Sequence, residues 1–191
     1  SDKYQQLKNI VDKLLADYNP DDFICNKDDK QNCVNSYFDF TKEVITDSKD
    51  LEVQMNFFNT LKEKLTQNKI TILADMNGSA RTLSIDSDFF NYCGLGYKTI
   101  NNVPGQISHE IIPEPENLVY LAQYMESLQK SGQTDGILGY MPDCDGDRGN
   151  IVFWNHKSQK AEILKAQEVF ALCVMSELSS IRYNEKLCNL P

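Results

Sequence analysis

The sequence has only two histidines, His109 and His156, and they lie too far apart to suggest a shared ligand set. It has no Cys-x-x-Cys pair, which excludes a zinc knuckle or dithiol redox motif of that type. No apolar run approaches the roughly 20 residues that a helix needs to span a bilayer, so no membrane partner is expected. Basic residues are outnumbered, 19 Lys and Arg against 28 Asp and Glu, giving a net charge of -9 and a pI near 4.7. Such a surface repels phosphate backbones and makes nucleic acid an unsuitable partner. Phosphate-bearing small substrates remain open, because a local cation or arginine outweighs the global charge. The start, Ser1-Asp2-Lys3-Tyr4, lacks the charge-then-apolar pattern of a secretory signal. A start without Met fits a piece of a longer polypeptide.

What is present is ordinary for a globular chain: 41% hydrophobic and 25% charged residues in 191 positions, enough for one good core. Six cysteines (Cys25, Cys33, Cys93, Cys144, Cys173 and Cys188) would permit disulfides by their even count. Cys93 and Cys173, however, sit in apolar stretches and read as small buried hydrophobes. Reduced thiols and a cytoplasmic location are the expectation.

Hydrophobic periodicity divides the chain. Tyr4, Leu7, Val11, Leu14, Leu15 and Tyr18 recur at helical spacing until Asn19-Pro20-Asp21-Asp22 breaks the pattern. The polar stretch from Cys25 to Cys33 reads as a loop. Val34, Tyr37, Phe38, Thr41, Val44 and Ile45 predict a second helix, and Leu51, Met55, Phe58, Leu61 and Leu65 a third, with these side chains packed in a core. From Ile70 the character changes. Ile70–Ala74 is a β-branched apolar run ending in Asp75, a buried strand. Asn77-Gly78 turns into a helix through Phe90, and Tyr97–Ile100 is a second strand. After a proline-containing loop, Leu118, Leu121, Ala122, Met125 and Leu128 mark an amphipathic helix stopped at Ser131-Gly132. Residues 136–141 and 151–154 are two more strands, and a last helix carries Ala166, Val169, Phe170, Cys173 and Val174. Alternating strands and helices predict an α/β fold. The expected architecture is three-layer αβα around a mixed, mostly parallel four-stranded sheet, with N-terminal helices beside it. The link between the last two strands is too short for a parallel crossover, so that pair is expected to be antiparallel. The expected organisation is a helical flanking region over 1–68, an α/β metal-binding domain over 69–178 and a C-terminal tail over 179–191.

The strongest chemical signal is Asp143-Cys144-Asp145-Gly146-Asp147-Arg148, three alternating carboxylates directly after a strand. Like charges this close are costly unless a cation neutralises them. Hard divalent cations take carboxylate oxygens, and Gly146 permits the backbone of a tight loop. An EF-hand loop fails, because the positions for its Gly and Glu hold Arg148 and Trp154 and no helix precedes it. Asp75 at a strand end could face a cleft or, as is more common, cap the Asn77-Gly78 turn.

The loop also resembles two enzyme families. Haloacid-dehalogenase-type phosphatases carry Asp-x-Asp-Gly after an apolar strand, with the first Asp as nucleophile, but usually continue with Thr or Val. They also place further acidic residues downstream, and no Asp follows Asp147 here. The fuller resemblance is to the phosphohexomutases (the phosphoglucomutases and phosphomannomutases), whose metal loop reads D-x-D-x-D-R and joins two strands of the second of four domains. Asp143, Asp145, Asp147 and Arg148 match it throughout. Ile72–Ala80 resembles the strand and Gly-containing turn that open that domain, and Pro113-Glu114-Pro115-Glu116 its proline-acid segment. Ile151–Phe153 and Glu168–Leu172 resemble the stretch after the loop. The resemblance spans about half the chain, roughly 70–172. It implies Mg²⁺ held by Asp143, Asp145 and Asp147, and Arg148 as a catalytic residue that holds a phosphoserine. The implied reaction interconverts hexose 1-phosphate and hexose 6-phosphate through a bisphosphorylated sugar. The family's Thr-Ala-Ser-His-Asn type serine loop and Gly-Glu-x-Ser-Gly sugar loop are absent, so hexose phosphate would be met through other domains of the same polypeptide, and this chain alone would be inactive. The alternatives are the phosphatase and a mutase-like module that binds metal without catalysis.

Overall fold

Thr71–Asp75 forms β1, and all five positions are buried: Ile72, Leu73 and Ala74 as an apolar run, Thr71 and Asp75 as hydrogen-bonded polar ends. Gly96–Ile100 (β2) and Gly136–Pro142 (β3) flank it, both parallel to it. Gly149–Asn155 (β4) returns antiparallel to β3, the pairing expected from the short link. The protein is therefore α/β with a mixed sheet, seen here in a computed structural model that describes residues 2–16 and 27–188. The sheet has five strands rather than four, in the order β2-β1-β3-β4-β5, and its four pairings divide evenly between parallel and antiparallel. The extra strand, Lys160–Ile163 (β5), follows a turn in which Gln159 takes the left-handed conformation. That position usually advertises itself with Gly or Asn, and here it does not.

Two compact units divide the chain, Ser1–Asp39 and Phe40–Pro191. In the first, Asp2–Ala16 (α1) is helical as its spacing predicts, but Tyr4, Leu7, Val11, Leu14 and Leu15 are all exposed rather than packed in a core. Tyr18, the break at 19–22 and Cys25 lie outside the described residues. The next helix, Lys27–Thr46 (α2), begins well before Val34, so residues 27–33 are helix and not loop. Asp28 and Asp29 in its first turn suit the positive end of the helix dipole.

In the second unit Leu51–Gln67 (α3) is capped by the Asp50 carboxylate on the Glu52 N–H. It buries Phe58 and Leu65 and leaves Leu51 and Met55 exposed. The Phe58 ring meets Phe89 and Tyr92 edge-on. The helix expected after Asn77-Gly78 is interrupted at extended Ser84, giving a 3₁₀ turn Ala80–Leu83 and then Asp86–Tyr92 (α4). Val119–Lys130 (α5) presents Leu121, Met125 and Leu128 to Leu73, Met141 and Val152, the main core. Each such side chain contributes about 1.5–3 kcal/mol by leaving water. Phe90 of α4 instead lies against Tyr97 and Tyr140, whose strand partners are Ile72 and Ala74. Those two alternate with Leu73, so the two helices meet opposite faces of β1. Ala166–Cys188 (α6) continues through 179–188, and residues 189–191 lie outside the description. Cys93 is buried as expected, and burial pushes its thiol up to about 11; Cys173 is exposed, contrary to its apolar surroundings in the sequence. Cys33, Cys93, Cys144 and Cys173 are free thiols. Among the described residues, no helix is long and apolar enough to cross a membrane.

The strand order places the functional edge. From β1 the chain moves outward to β2, then crosses back past β1 to β3. The loops leaving β1 and β3 therefore diverge at a topological switch point, where open parallel sheets form ligand crevices at their carboxyl ends.

Candidate metal centre

The acidic loop leaves the carboxyl end of β3 at this switch point and returns as β4. The Asp143 N–H donates to the Arg148 carbonyl at 3.1 Å, closing the loop at its base. Gly146 takes φ +80°, where a side chain would be strained, and a Cβ there would lie 2.6 Å from Cδ of Arg81. The loop thus needs glycine for both its backbone turn and the space beneath it. Arg81 is itself fixed by Asp86, which accepts from its Nε at 3.1 Å and from its Nη2. A second tie runs from the Ala80 N–H to the Cys144 carbonyl at 2.9 Å.

Asp143 is 3% exposed, whereas Asp145 and Asp147 face solvent. Each offers a carboxylate oxygen, and these oxygens lie within 4.8 Å of one another. Among the described residues this is the one group of three or more His, Cys, Asp or Glu side chains close enough to share an ion. Asp143 Oδ1 accepts from the N–H groups of Gly146 at 3.0 Å and Arg148 at 3.2 Å, and Oδ2 accepts from Arg148 Nε at 2.7 Å. The same Nε is 3.7 Å from Asp147 Oδ1. Burial alone would push the Asp143 carboxyl up, but the backbone N–H and guanidinium of Arg148 hold it below the usual range. Asp147 is pushed up, chiefly by the Asp145 charge and then by Asp143. The Arg148 guanidinium is pushed up by its bond to Asp143. The donor set fits a hard divalent cation: three carboxylates on a tight loop, with charge crowding that a cation would relieve.

All four residues singled out in the sequence thus come together. The turn cap expected of Asp75 is also present, and the sequence did not reveal its further partners Asn101 and His109. Asp75 is fully buried and caps its turn by accepting from the Asn77 N–H at 3.2 Å. It also accepts from Asn101 Nδ2 at 2.9 Å and pairs with His109 Nε2 at 2.9 Å. The His109 ring stacks on Tyr120 with centroids 4.5 Å apart. Asn77 Oδ1 in turn accepts from the N–H groups of Ser108 and His109, and its Nδ2 donates to the carbonyls of His109 and Glu110. The Asp75 and Asn77 side chains thus tie the loops after β1 and β2 together.

No family model matches the chain, and no curated protein matches it.

Proposed function

We propose that the chain is the metal-binding domain of a phosphohexomutase, an enzyme that interconverts hexose 1-phosphate and hexose 6-phosphate. The observation that carries this reading is the D-x-D-x-D-R loop itself, set between a parallel strand and its antiparallel neighbour with three carboxylate oxygens converging. Asp143, Asp145 and Asp147 would hold Mg²⁺, which supplies Lewis-acid stabilisation of charge on a transferring phosphoryl group. Arg148 would hold the phosphoryl oxygens through charge-assisted hydrogen bonds. The hexose phosphate and the serine nucleophile would come with other domains of the same polypeptide, in the cytoplasm. The reading includes a three-layer αβα domain, which α4 and α5 meeting opposite faces of β1 supports. The phosphatase alternative would use Asp143 as nucleophile, but it would carry Thr or Val where Asp147 stands and a further acidic pair downstream, and no Asp follows Asp147.

Thermal melts with and without millimolar Mg²⁺ or Mn²⁺ test the reading. Free ion at about ten times Kd adds roughly 1.4 kcal/mol, a rise of a few degrees for a domain of this size. Asp145→Asn removes one of three crowded charges, so without metal it should melt no lower than the parent, and with metal it should gain less. Equal responses of parent and variant would remove these aspartates as the site.

A further inference from the structure

A cavity of about 230 Å³ opens between β2, the 3₁₀ turn at 80–83 and the start of α4, and no residue of the acidic loop lines it. At roughly 30 Å³ per water it has the volume of about seven waters, which suits one small ring rather than a drug-sized ligand. The charged groups on its wall are a matched pair. Asp86 is 7% exposed, and both of its carboxylate oxygens accept from Arg81. Paired this closely, the two charges cancel at a distance and leave no net field to draw in an anion or a cation.

The rest of the polar wall is neutral and two-sided. Thr82 Oγ1 donates to the Ser79 carbonyl at 2.8 Å and keeps its lone pairs. Thr99 Oγ1 accepts from Asn102 Nδ2 at 2.9 Å and keeps its proton. The hydroxyls of Ser84 and Ser87 make no hydrogen bond among the described residues. Tyr97 supplies an aromatic side, its own hydroxyl held 3.0 Å from that of Tyr140. A ligand that suits this wall gives and accepts hydrogen bonds at several closely spaced points without carrying charge. A hydroxyl does both, so a compact polyhydroxylated ring meets the requirement. A phosphate brings acceptor oxygens alone, with a charge that Asp86 repels.

We propose that this cavity is a binding site for a neutral, single-ring polyol, separate from the acidic loop. The ligand is unphosphorylated, so the site goes beyond the phosphohexomutase reading and stands or falls without it. Asp86, fixed by Arg81, accepts from a ligand hydroxyl, and the Ser84, Ser87 and Thr99 hydroxyls rotate to match the others.

Amide spectra of the isotope-labelled 191-residue chain, titrated with myo-inositol and with D-glucose, test the assignment. At millimolar concentration at least one of the two should give saturable shifts at residues 82–87 and 99–102, and none at 143–148. Ser84 is exposed, extended at φ -88°, and has no side-chain cap bond to lose, so Ser84→Leu should keep the fold while filling the cavity. Its shifts at the same polyol concentration should fall at least tenfold. Asn102→Leu, across the cavity, should do the same and decides the matter if Ser84→Leu does not fold. Inorganic phosphate and L-serine supply the anionic and zwitterionic comparisons. Binding of either at these residues as strong as that of the polyols would overturn the assignment. So would the absence of saturable shifts with both polyols, or shifts that persist in the folded leucine variant.

Discussion

Thr71 is a buried hydroxyl at the start of β1, and a buried hydroxyl must find a partner. It donates to Asp135 Oδ2, while its N–H donates to the Asp135 carbonyl at 2.8 Å. Gly96 faces it across the ladder, where a Cβ would collide with Oγ1. The Thr71 hydroxyl is the main reason that the Asp135 carboxyl is held below its usual range, against the opposing effect of burial. A carboxyl depressed in the folded state adds stability above the unfolded value near 3.9, and loses it as pH falls through the lower folded value. Thr71→Val should therefore cost about 1 kcal/mol at pH 7. The gap to the parent should shrink below about pH 4. Urea denaturation at pH 7 and pH 3 measures both. A gap that stays constant would mean the loss comes from packing, not from the carboxylate.

At the scale of elements, the edge of the sheet is organised by side chains that no local pattern announces. The acidic loop was legible because its four residues are contiguous and their charges are crowded by the chain itself. Asp75 is separated from Asn101 and His109 by α4 and β2, so no spacing rule links them before the fold does. The same limit explains α1 and β5. Periodicity shows which face of α1 is apolar but not whether anything covers it, and the turn before β5 lacks the residues that usually mark one. Where a segment's own pattern decides its structure, as in β1, α5 and the antiparallel return of β4, expectation and fold agree. Asn77 tests how far the loop clamp matters. It is 2% exposed, in the left-handed region that Asn tolerates better than most residues, and makes four hydrogen bonds to residues 108–110. Asn77→Ala should destabilise the domain by about 2 kcal/mol. Hydrogen exchange should locate the damage: the Ser108 and His109 amides should exchange at least tenfold faster, with β1 still protected. Uniform loss of protection across the sheet would show that the clamp supports the whole core rather than one loop.

At the scale of the whole molecule, two features bear on the proposed reading: an apolar groove and the inventory of reactive groups. A groove of about 530 Å³ between α6 and the sheet is lined by Leu138, Ile151, Phe153, Leu172 and Met175. Phe170 beside it is 71% exposed. Apolar surface of this kind is the sort that contacts further protein. On the proposed reading the acidic loop would hold an ion and Arg148 an anion, both stabilising charge on a group that another part of the enzyme transfers. A phosphoryl carrier of the expected kind, a serine in a Thr-Ala-Ser-His-Asn type loop, does not occur anywhere in the sequence. Removing a nucleophile removes most of an enzyme's rate even when the remaining machinery is intact. The purified chain with Mg²⁺ should therefore leave glucose 1-phosphate unconverted in an assay coupled to glucose 6-phosphate oxidation, at any concentration of chain that saturates with metal. The same protein should still show the ion-dependent rise in melting temperature, because binding needs only the loop. Turnover that scales with the amount of chain and disappears in Asp145→Asn would mean that this domain carries its own phosphoryl acceptor, and the search for it would begin among the hydroxyls near the acidic loop. The buried Ser79 hydroxyl, which has no hydrogen-bond partner and directly precedes the residue tied to Cys144, would be the first to replace.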